Sequence, residues 1–404
     1  MTVQGIIDRE NRFMARNYHP LPVVLARGEG VWVWDTDGNK YLDFLSAYSA
    51  VSAGHSNPRI LNAMMKQAQT LDVPSRAFHT EILGQFVEQL CVVTGMDKAL
   101  PMNTGAEAVE TAIKAARRWG YRVKGIAKDK AQIIVAEHNF HGRTTTIVGF
   151  SSEPLYRDGF GPFPDGFDII PYGDADALEA AITPDTCAFL VEPIQGEAGI
   201  IVPPGGFLKR AQEICKKNDV LFILDEIQTG MARTGKDFCY QHEIDKPDGL
   251  TLGKALGGGV YPVSAFLARK DVMDVFEPGS HGSTFGGNPI AASIGLEALA
   301  IMKDEKLSER SHELGEILKS KLNALQSPLI KEVRGKGLLI GMEIDPAHAR
   351  ARTVCEKLKE RGLLCKETHE TTVRFAPPLI ITRDEIDWAV EQVAETLTEL
   401  SRQP

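Results

Sequence analysis

Val220-Leu-Phe-Ile-Leu-Asp225-Glu226-Ile-Gln228-Thr-Gly230 sets five apolar residues in a row ahead of an acid. An apolar run of that length, without alternation, predicts a strand buried on both faces, as in a parallel sheet wrapped by helices. Its final acid then emerges at the carboxyl edge of the sheet, where open α/β sheets bind their ligands. Further along, Leu250-Thr-Leu252-Gly253-Lys254-Ala255-Leu256 ends a second short apolar run on a lysine among glycine and small apolar neighbours. Such surroundings strip water from an amine and favour its neutral, nucleophilic form. Singly, each residue also has an ordinary reading, the Asp as a hydrogen-bonded turn residue and the Lys as a solvated loop side chain. The lysine segment is no Walker phosphate loop, because Gly249 and Gly253 lie too close together and Ala255, not Ser or Thr, follows Lys254.

Composition bounds the rest. The 404 residues, 43% hydrophobic and 25% charged, suffice for two or three globular domains. A net charge of −9 argues against a general nucleic-acid or anionic-membrane surface, so any basic residue that matters acts locally. The six cysteines, Cys91, Cys187, Cys215, Cys239, Cys355 and Cys365, are scattered without a Cys-x-x-Cys and read as reduced core thiols. No stretch approaches the ~20 apolar residues of a membrane span, and the N-terminus carries acids that a transit peptide avoids. A cytoplasmic enzyme is the expectation.

Along the chain, Gly30-Val-Trp-Val-Trp34 and Lys40-Tyr-Leu-Asp-Phe44 flank Asp37-Gly38, a hairpin signal. From about 56 to 304 helices alternate with short apolar strands at 132–136, 187–191, 220–224, 250–252 and 263–268, the pattern of a mainly parallel sheet. After about 305 the alternation continues on a smaller scale. The expected fold is α/β: residues 56–304 form a large domain, and residues 1–55 with 305–404 form a smaller one from both chain ends.

Several polar groups fall where strands end. Asn103-Thr104-Gly105-Ala106-Glu107 opens a helix whose free N–H groups can cradle a phosphate. Thr104 or Gly105 is the expected cap, and a plain helix start fits the same residues. His281-Gly-Ser-Thr284-Phe-Gly-Gly-Asn288 offers hydroxyls for a second phosphate contact, or a tight surface loop. In Glu137-His-Asn-Phe140-His141-Gly-Arg143, Phe140 can stack on a flat ring and Arg143 can grip a carboxylate with its fork. A metal at His138 and His141 is disfavoured, since no further His or Cys cluster accompanies them. Glu192-Pro-Ile-Gln-Gly-Glu197 offers two acids, and Arg374, among apolar neighbours, needs a paired acid or an anionic ligand. An acid for a ring nitrogen and an amine for an aldehyde are the two handles of a pyridoxal phosphate (PLP) enzyme.

These motifs, with Gly253-Lys-Ala-Leu and Arg334-Gly-Lys-Gly-Leu-Leu, resemble in order and over nearly the whole chain the class-III, or ω, aminotransferases of PLP fold type I. Asn17-Tyr18-His-Pro-Leu-Pro and Asp43-Phe-Leu-Ser-Ala-Tyr48 are similar to the substrate-pocket segments of that family's ornithine-using branch. The resemblance implies that Lys254 bonds to the cofactor's aldehyde carbon and shuttles a proton, while Asp225 keeps the pyridine nitrogen protonated. It implies phosphate-binding amides at Gly105 and Ala106, with Thr284 reaching the phosphate in a neighbouring subunit of a homodimer or larger homo-oligomer. Phe140 would stack on the ring and Gln228 would meet its phenolic oxygen. Arg143 and Arg374 would bind the carboxylates of 2-oxoglutarate, Glu197 would mask Arg374 when ornithine enters, and Tyr18 and Tyr48 would orient ornithine. His141 departs from the ornithine-using pattern, which in some members has Trp there. Acetylornithine or another ω-amino acid is the alternative donor. A non-catalytic PLP-fold regulator is the alternative class, against which stands the lack of any helix-turn-helix extension or basic patch.

Overall fold

In the computed structural model, which describes residues 2–402, the run before Asp225 becomes the strand Leu221–Asp225, buried at every residue. It lies inside a seven-stranded sheet ordered Lys98–Met102, Ser264–Ala268, Gly249–Leu252, Leu221–Asp225, Thr186–Val191, Gln132–Ala136, Phe167–Ile170. Its side chains explain the unbroken apolar pattern. Leu221 and Ile223 enter the core beneath the helix Gly105–Trp119, whereas Phe222 and Leu224 enter the core on the opposite face with the helix Phe207–Lys217. Each fully buried Leu, Ile or Phe contributes roughly 1.5–3 kcal/mol, so slipping the strand by one residue would misplace every one of them.

The five strands from Gly249–Leu252 to Phe167–Ile170 pair in parallel. Ser264–Ala268 runs antiparallel to both of its neighbours, making the sheet mixed at that side. Two strands of this sheet, Lys98–Met102 and Phe167–Ile170, are not among the expected ones, and both sit at the edges. Edge strands are covered on fewer sides: the first carries Pro101 and the second is exposed at Asp168 and Ile169, so neither presents a continuous apolar run.

The expected hairpin forms from Trp32–Asp35 and Lys40–Asp43, with Gly38 at φ 87° in its turn. Its partners are Leu25–Glu29 on one side and, in parallel, Leu363–Leu364 on the other. A further antiparallel sheet orders Ile330–Lys336, Leu339–Ile344, Thr372–Phe375 and Lys366–Thr368. We propose that residues 1–55 and 305–404 make one smaller domain beside 56–304; the pairing of Leu42 with Leu363 across the two chain ends supports that division.

Immediately after the hairpin the backbone turns the wrong way for L-residues. Ser46, Ala47, Tyr48 and Ser49 take φ of 43°, 48°, 60° and 75° in succession. Left-handed backbone costs roughly 1–2 kcal/mol per non-glycine residue, so this turn persists only because its surroundings hold it. Asp43 Oδ1 accepts the N–H groups of Leu45 and Ser46 at 2.9 and 2.8 Å, and Ser46 Oγ donates to Ala376 O at 2.6 Å.

Close backbone approach sets another constraint at Gly315, in the helix Leu307–Ala324. A Cβ there would lie 2.1 Å from the carbonyl oxygen of Gly337, between the strands Ile330–Lys336 and Leu339–Ile344. Gly84, inside the helix Glu81–Thr94, would place a Cβ in open space. The same substitution therefore has opposite signs at the two helical sites. Gly84→Ala should stabilise by about 0.8–1 kcal/mol. Gly315→Ala should destabilise by about 2 kcal/mol or more. Thermal unfolding of the two variants beside the parent checks both; equal shifts would refute the packing argument.

Candidate active site

Asp225 ends its strand with both oxygens engaged. Oδ1 accepts from Thr251 Oγ1 at 2.9 Å and from the Ile227 N–H at 3.1 Å, and Oδ2 lies 2.6 Å from His141 Nδ1. The carboxylate is thereby fixed in orientation at the carboxyl edge of the sheet. His141 is buried, and burial alone would lower its pKa; Asp225, hydrogen-bonded to it, and Glu192 outweigh that and raise it. Glu192 accepts the N–H groups of Phe140 and Gly196 at 2.8 and 3.2 Å. Burial pushes its carboxyl up to about 7, against the opposing pull of His141.

A cavity of about 200 Å³ opens in front of these groups, lined by Gly105, Ala106, Phe140, Asp225, Gln228 and Lys254 among others. The first residues of the helix Gly105–Trp119 line it. Thr104 is its cap: Thr104 Oγ1 accepts from Glu107 N at 3.3 Å while Glu107 Oε2 accepts from Thr104 N at 2.7 Å. That reciprocal box leaves the N–H groups of Gly105 and Ala106 free of intrahelical partners and aligned with the positive end of the helix dipole. Gln228 is tightly placed, since a Cβ on Gly196 would fall 1.4 Å from its Oε1.

Lys254 follows the strand Gly249–Leu252 and lines the same cavity in a left-handed conformation, φ 45°. Its amine has no hydrogen-bond or ion-pair partner among the described residues. Burial holds its pKa below the ordinary lysine value of 10.5, overcoming the opposite pull of Glu197 and Asp225. One cavity thus gathers free helix N–H groups, an aromatic face at Phe140, a desolvated amine and an oriented carboxylate. PLP presents a phosphate, a flat ring, an aldehyde and a protonatable ring nitrogen, so these residues fit it.

A second cavity of about 480 Å³ adjoins the first, sharing Phe140, Glu197 and Lys254 and adding Tyr18, Tyr48, Arg143 and Tyr156. Tyr18 is 74% exposed at its mouth. Arg143 is exposed too, with its guanidinium carbon 3.4 Å from the Tyr156 ring centroid. Arg374, in the strand Thr372–Phe375, is buried behind this space and donates from Nη1 to Glu197 Oε1 at 2.5 Å. Its guanidinium carbon lies 4.8 Å from the Tyr48 ring centroid. Burial alone would raise the pKa of Glu197, but Arg374, then Lys254 and Gln228, bring it below the usual glutamate value.

The structure thus brings together eleven of the twelve residues singled out in the sequence. Thr284 stands apart, exposed on a separate small cavity lined by Ser75, Arg76, Gly286 and neighbours. Three residues at the site had been given no role there: His141, Thr251 and Tyr156. Thr251 had a readable signal, a lone polar residue in an apolar strand directly opposite Asp225. His141 shows its use only when its distance to Asp225 is known, and nothing in the sequence marks Tyr156.

Comparison with known proteins adds an independent finding. The family described as aminotransferase class-III matches residues 13–397. An ornithine aminotransferase of Geobacillus sp. (strain WCH70) is 59% identical over 388 residues, 96% of this chain and 97% of that protein. The crystal structure of ornithine aminotransferase from Toxoplasma gondii ME49 covers 100% of this chain and 97% of its own, with TM-score 0.98 and 44% identity. The crystal structure of acetylornithine aminotransferase from Elizabethkingia anophelis covers 98% and 99%, with TM-score 0.91 and 53% identity.

The Glu197–Arg374 pair makes a direct prediction. Glu197 occupies Nη1 of Arg374, so a dicarboxylate that takes that nitrogen competes with Glu197 for a charge-assisted bond worth about 1.5–3 kcal/mol. Glu197→Ala should therefore tighten glutarate binding by about tenfold, measured by calorimetry. Unchanged or weaker binding would show that Glu197 does not mask Arg374.

Proposed function

The chain belongs to the class-III aminotransferases, and we propose that within them it moves the δ-amino group of ornithine to 2-oxoglutarate. The products are glutamate and glutamate 5-semialdehyde, which closes to pyrroline-5-carboxylate. The observation that carries this reading is Glu197 bonded to Arg374 beside Tyr48, at the junction of the two cavities. Ornithine brings one carboxylate and two amines, whereas 2-oxoglutarate brings two carboxylates. A guanidinium masked by an acid suits the first and, once bared, the second. Relatives at 55–59% identity that bear the name ornithine aminotransferase support the same donor.

PLP, when bound, supplies an electron sink for the carbon that loses its proton. Lys254 Nζ, whose burial favours the neutral form, takes that proton from the δ-carbon of ornithine and holds it for return. Asp225, oriented by His141, Thr251 and the Ile227 N–H, would hold a proton on the ring nitrogen. Gly105 and Ala106 would hold the phosphate, Phe140 would cover the ring and Gln228 would meet its phenolic oxygen. Tyr18 and Tyr48 steer the α-amino acid head of ornithine away from Lys254. Arg143 at the mouth and Arg374 within then hold the two carboxylates of 2-oxoglutarate, with Glu197 turned aside.

One observation favours a second donor: the 53% identity to an acetylornithine aminotransferase. An acetyl group removes the charge of the α-amine without changing the reacting end. We further propose a homodimer or larger homo-oligomer, with Thr284 completing the phosphate site of a second copy; its exposure beside Phe285, away from the Lys254 cavity, supports that role. A cytoplasmic location is part of the same reading. No helix among the described residues is long and apolar enough to cross a membrane.

Purified, PLP-loaded protein with 2-oxoglutarate should convert ornithine to pyrroline-5-carboxylate at least about tenfold more efficiently than it uses acetylornithine. Absence of the cyclised product from ornithine would reject the donor. Lys254→Ala should lower kcat by about 10³-fold or more while melting as a folded protein. Retained turnover would reject the assignment of Lys254.

A further inference from the structure

Arg233 lines neither active-site cavity, yet it is among the largest fully buried side chains of the protein. Its partners are all neutral oxygens. Nη1 donates to Pro377 O at 2.6 Å and Leu338 O at 3.0 Å, and Nη2 donates to Ser52 Oγ at 2.9 Å and Ser46 Oγ at 3.4 Å. Nε has no partner among the described residues. Asp43, whose charge is felt at Arg233, spends its own oxygens on Leu45 N, Ser46 N and His55 Nε2. A guanidinium buried without a bonded carboxylate is a poor way to add stability. What it does is join segments that are far apart in sequence.

Those segments converge on the substrate pocket. Ser46 opens the left-handed turn that carries Tyr48, and Ser52 lies just beyond it. Pro377 follows the strand Thr372–Phe375 that carries Arg374. The fork of Arg233 therefore spans the Tyr48 turn and the backbone that leads from Arg374. Ser46 Oγ, on the carbonyl of Ala376, closes the same seam from the other side. A strained turn of four non-glycine residues needs such outside bonds to keep its shape. If the fork is lost, the turn relaxes toward ordinary backbone and the Tyr48 ring leaves its place against the Arg374 guanidinium.

We propose that Arg233 is a positioning residue for donor recognition, clasping the left-handed turn to the Arg374 strand so that Tyr48 admits the δ-amine of ornithine and holds back the α-amine. The inference deepens the proposed function and rests on it. Transfer of the δ-amine gives 1-pyrroline-5-carboxylate after ring closure. Transfer of the α-amine gives 5-amino-2-oxopentanoate, which closes to 1-pyrroline-2-carboxylate. The ratio of the two products is independent of how much of a variant is folded, so a purely structural role for Arg233 leaves it unchanged.

The test uses the PLP-loaded protein and two variants, Arg233→Lys, which keeps the charge but loses the fork, and Ser52→Ala, which removes one of its acceptors. Products from ornithine and 2-oxoglutarate are resolved by NMR, and KM and kcat are measured for each substrate. Both variants should raise KM for ornithine by about fivefold or more and give a measurable share of 1-pyrroline-2-carboxylate. KM for 2-oxoglutarate should stay within about twofold. Should Arg233→Lys fail to fold, Ser52→Ala decides alone. A product ratio and ornithine KM equal to those of the parent in a folded variant overturn the proposal. A crystal structure of Ser52→Ala separates the clasp from the donor assignment: Tyr48 displaced from Arg374 supports the clasp whichever donor is used, and Tyr48 unmoved refutes it. Failure of the parent itself to form 1-pyrroline-5-carboxylate rejects the ornithine reading, and the crystal structure still decides the clasp.

Discussion

The desolvated amine of Lys254 is the constraint around which this site is built. An ammonium without a bonded partner is disfavoured in a buried cavity, so the group is pushed toward the neutral form that can attack a carbonyl carbon or accept a proton. The large sheet creates that condition. It buries Leu250 and Leu252 on the strand that leads to Lys254, and Leu221 to Leu224 on the strand beside it. The left-handed φ of Lys254 then turns the side chain into the cavity at the sheet edge. Asp225 and Glu197, close enough to pull the amine back toward its charged form, are each committed elsewhere. Asp225 is held by His141, Thr251 and a backbone N–H, and Glu197 by Arg374.

That commitment divides the site into two electrostatic halves. On the cofactor side, His141, Asp225 and Glu192 form a buried triplet: Asp225 and Glu192 raise the pKa of His141, and His141 pulls that of Glu192 down against its burial. On the substrate side, Glu197 is paired with Arg374. Lys254 lies between, lining both cavities. The proposed use of two substrates that differ in charge pattern rests on Glu197 leaving Arg374 for one of them.

Much of this was legible in the sequence because it follows from local chemistry. A short continuous apolar run ending in Asp225 reads as a two-sided strand, and Thr104 with Glu107 three residues on reads as a helix start. Phe140, Arg143 and Glu197 were found because each follows a strand, at the edge where ligands bind. What was not legible depends on distant partners. The antiparallel strand Ser264–Ala268 looks in sequence like its parallel neighbours, since both are buried on two faces. The left-handed run Ser46–Ser49 contains no glycine and is held by Arg233 and Ala376, far along the chain. His141 likewise acquires meaning only across its 2.6 Å approach to Asp225.

The most direct test of this account is the titration of Lys254 itself. Cofactor-free protein is treated with a small aldehyde and a hydride reductant across a pH series, and modification of each lysine is followed by mass spectrometry. Lys254 should reach half-maximal modification below pH 10.5, the ordinary lysine value, and ahead of the exposed lysines on the same protein. A midpoint at or above that of the exposed lysines would mean that the amine keeps its charge in the cavity, and would contradict the role assigned to its burial.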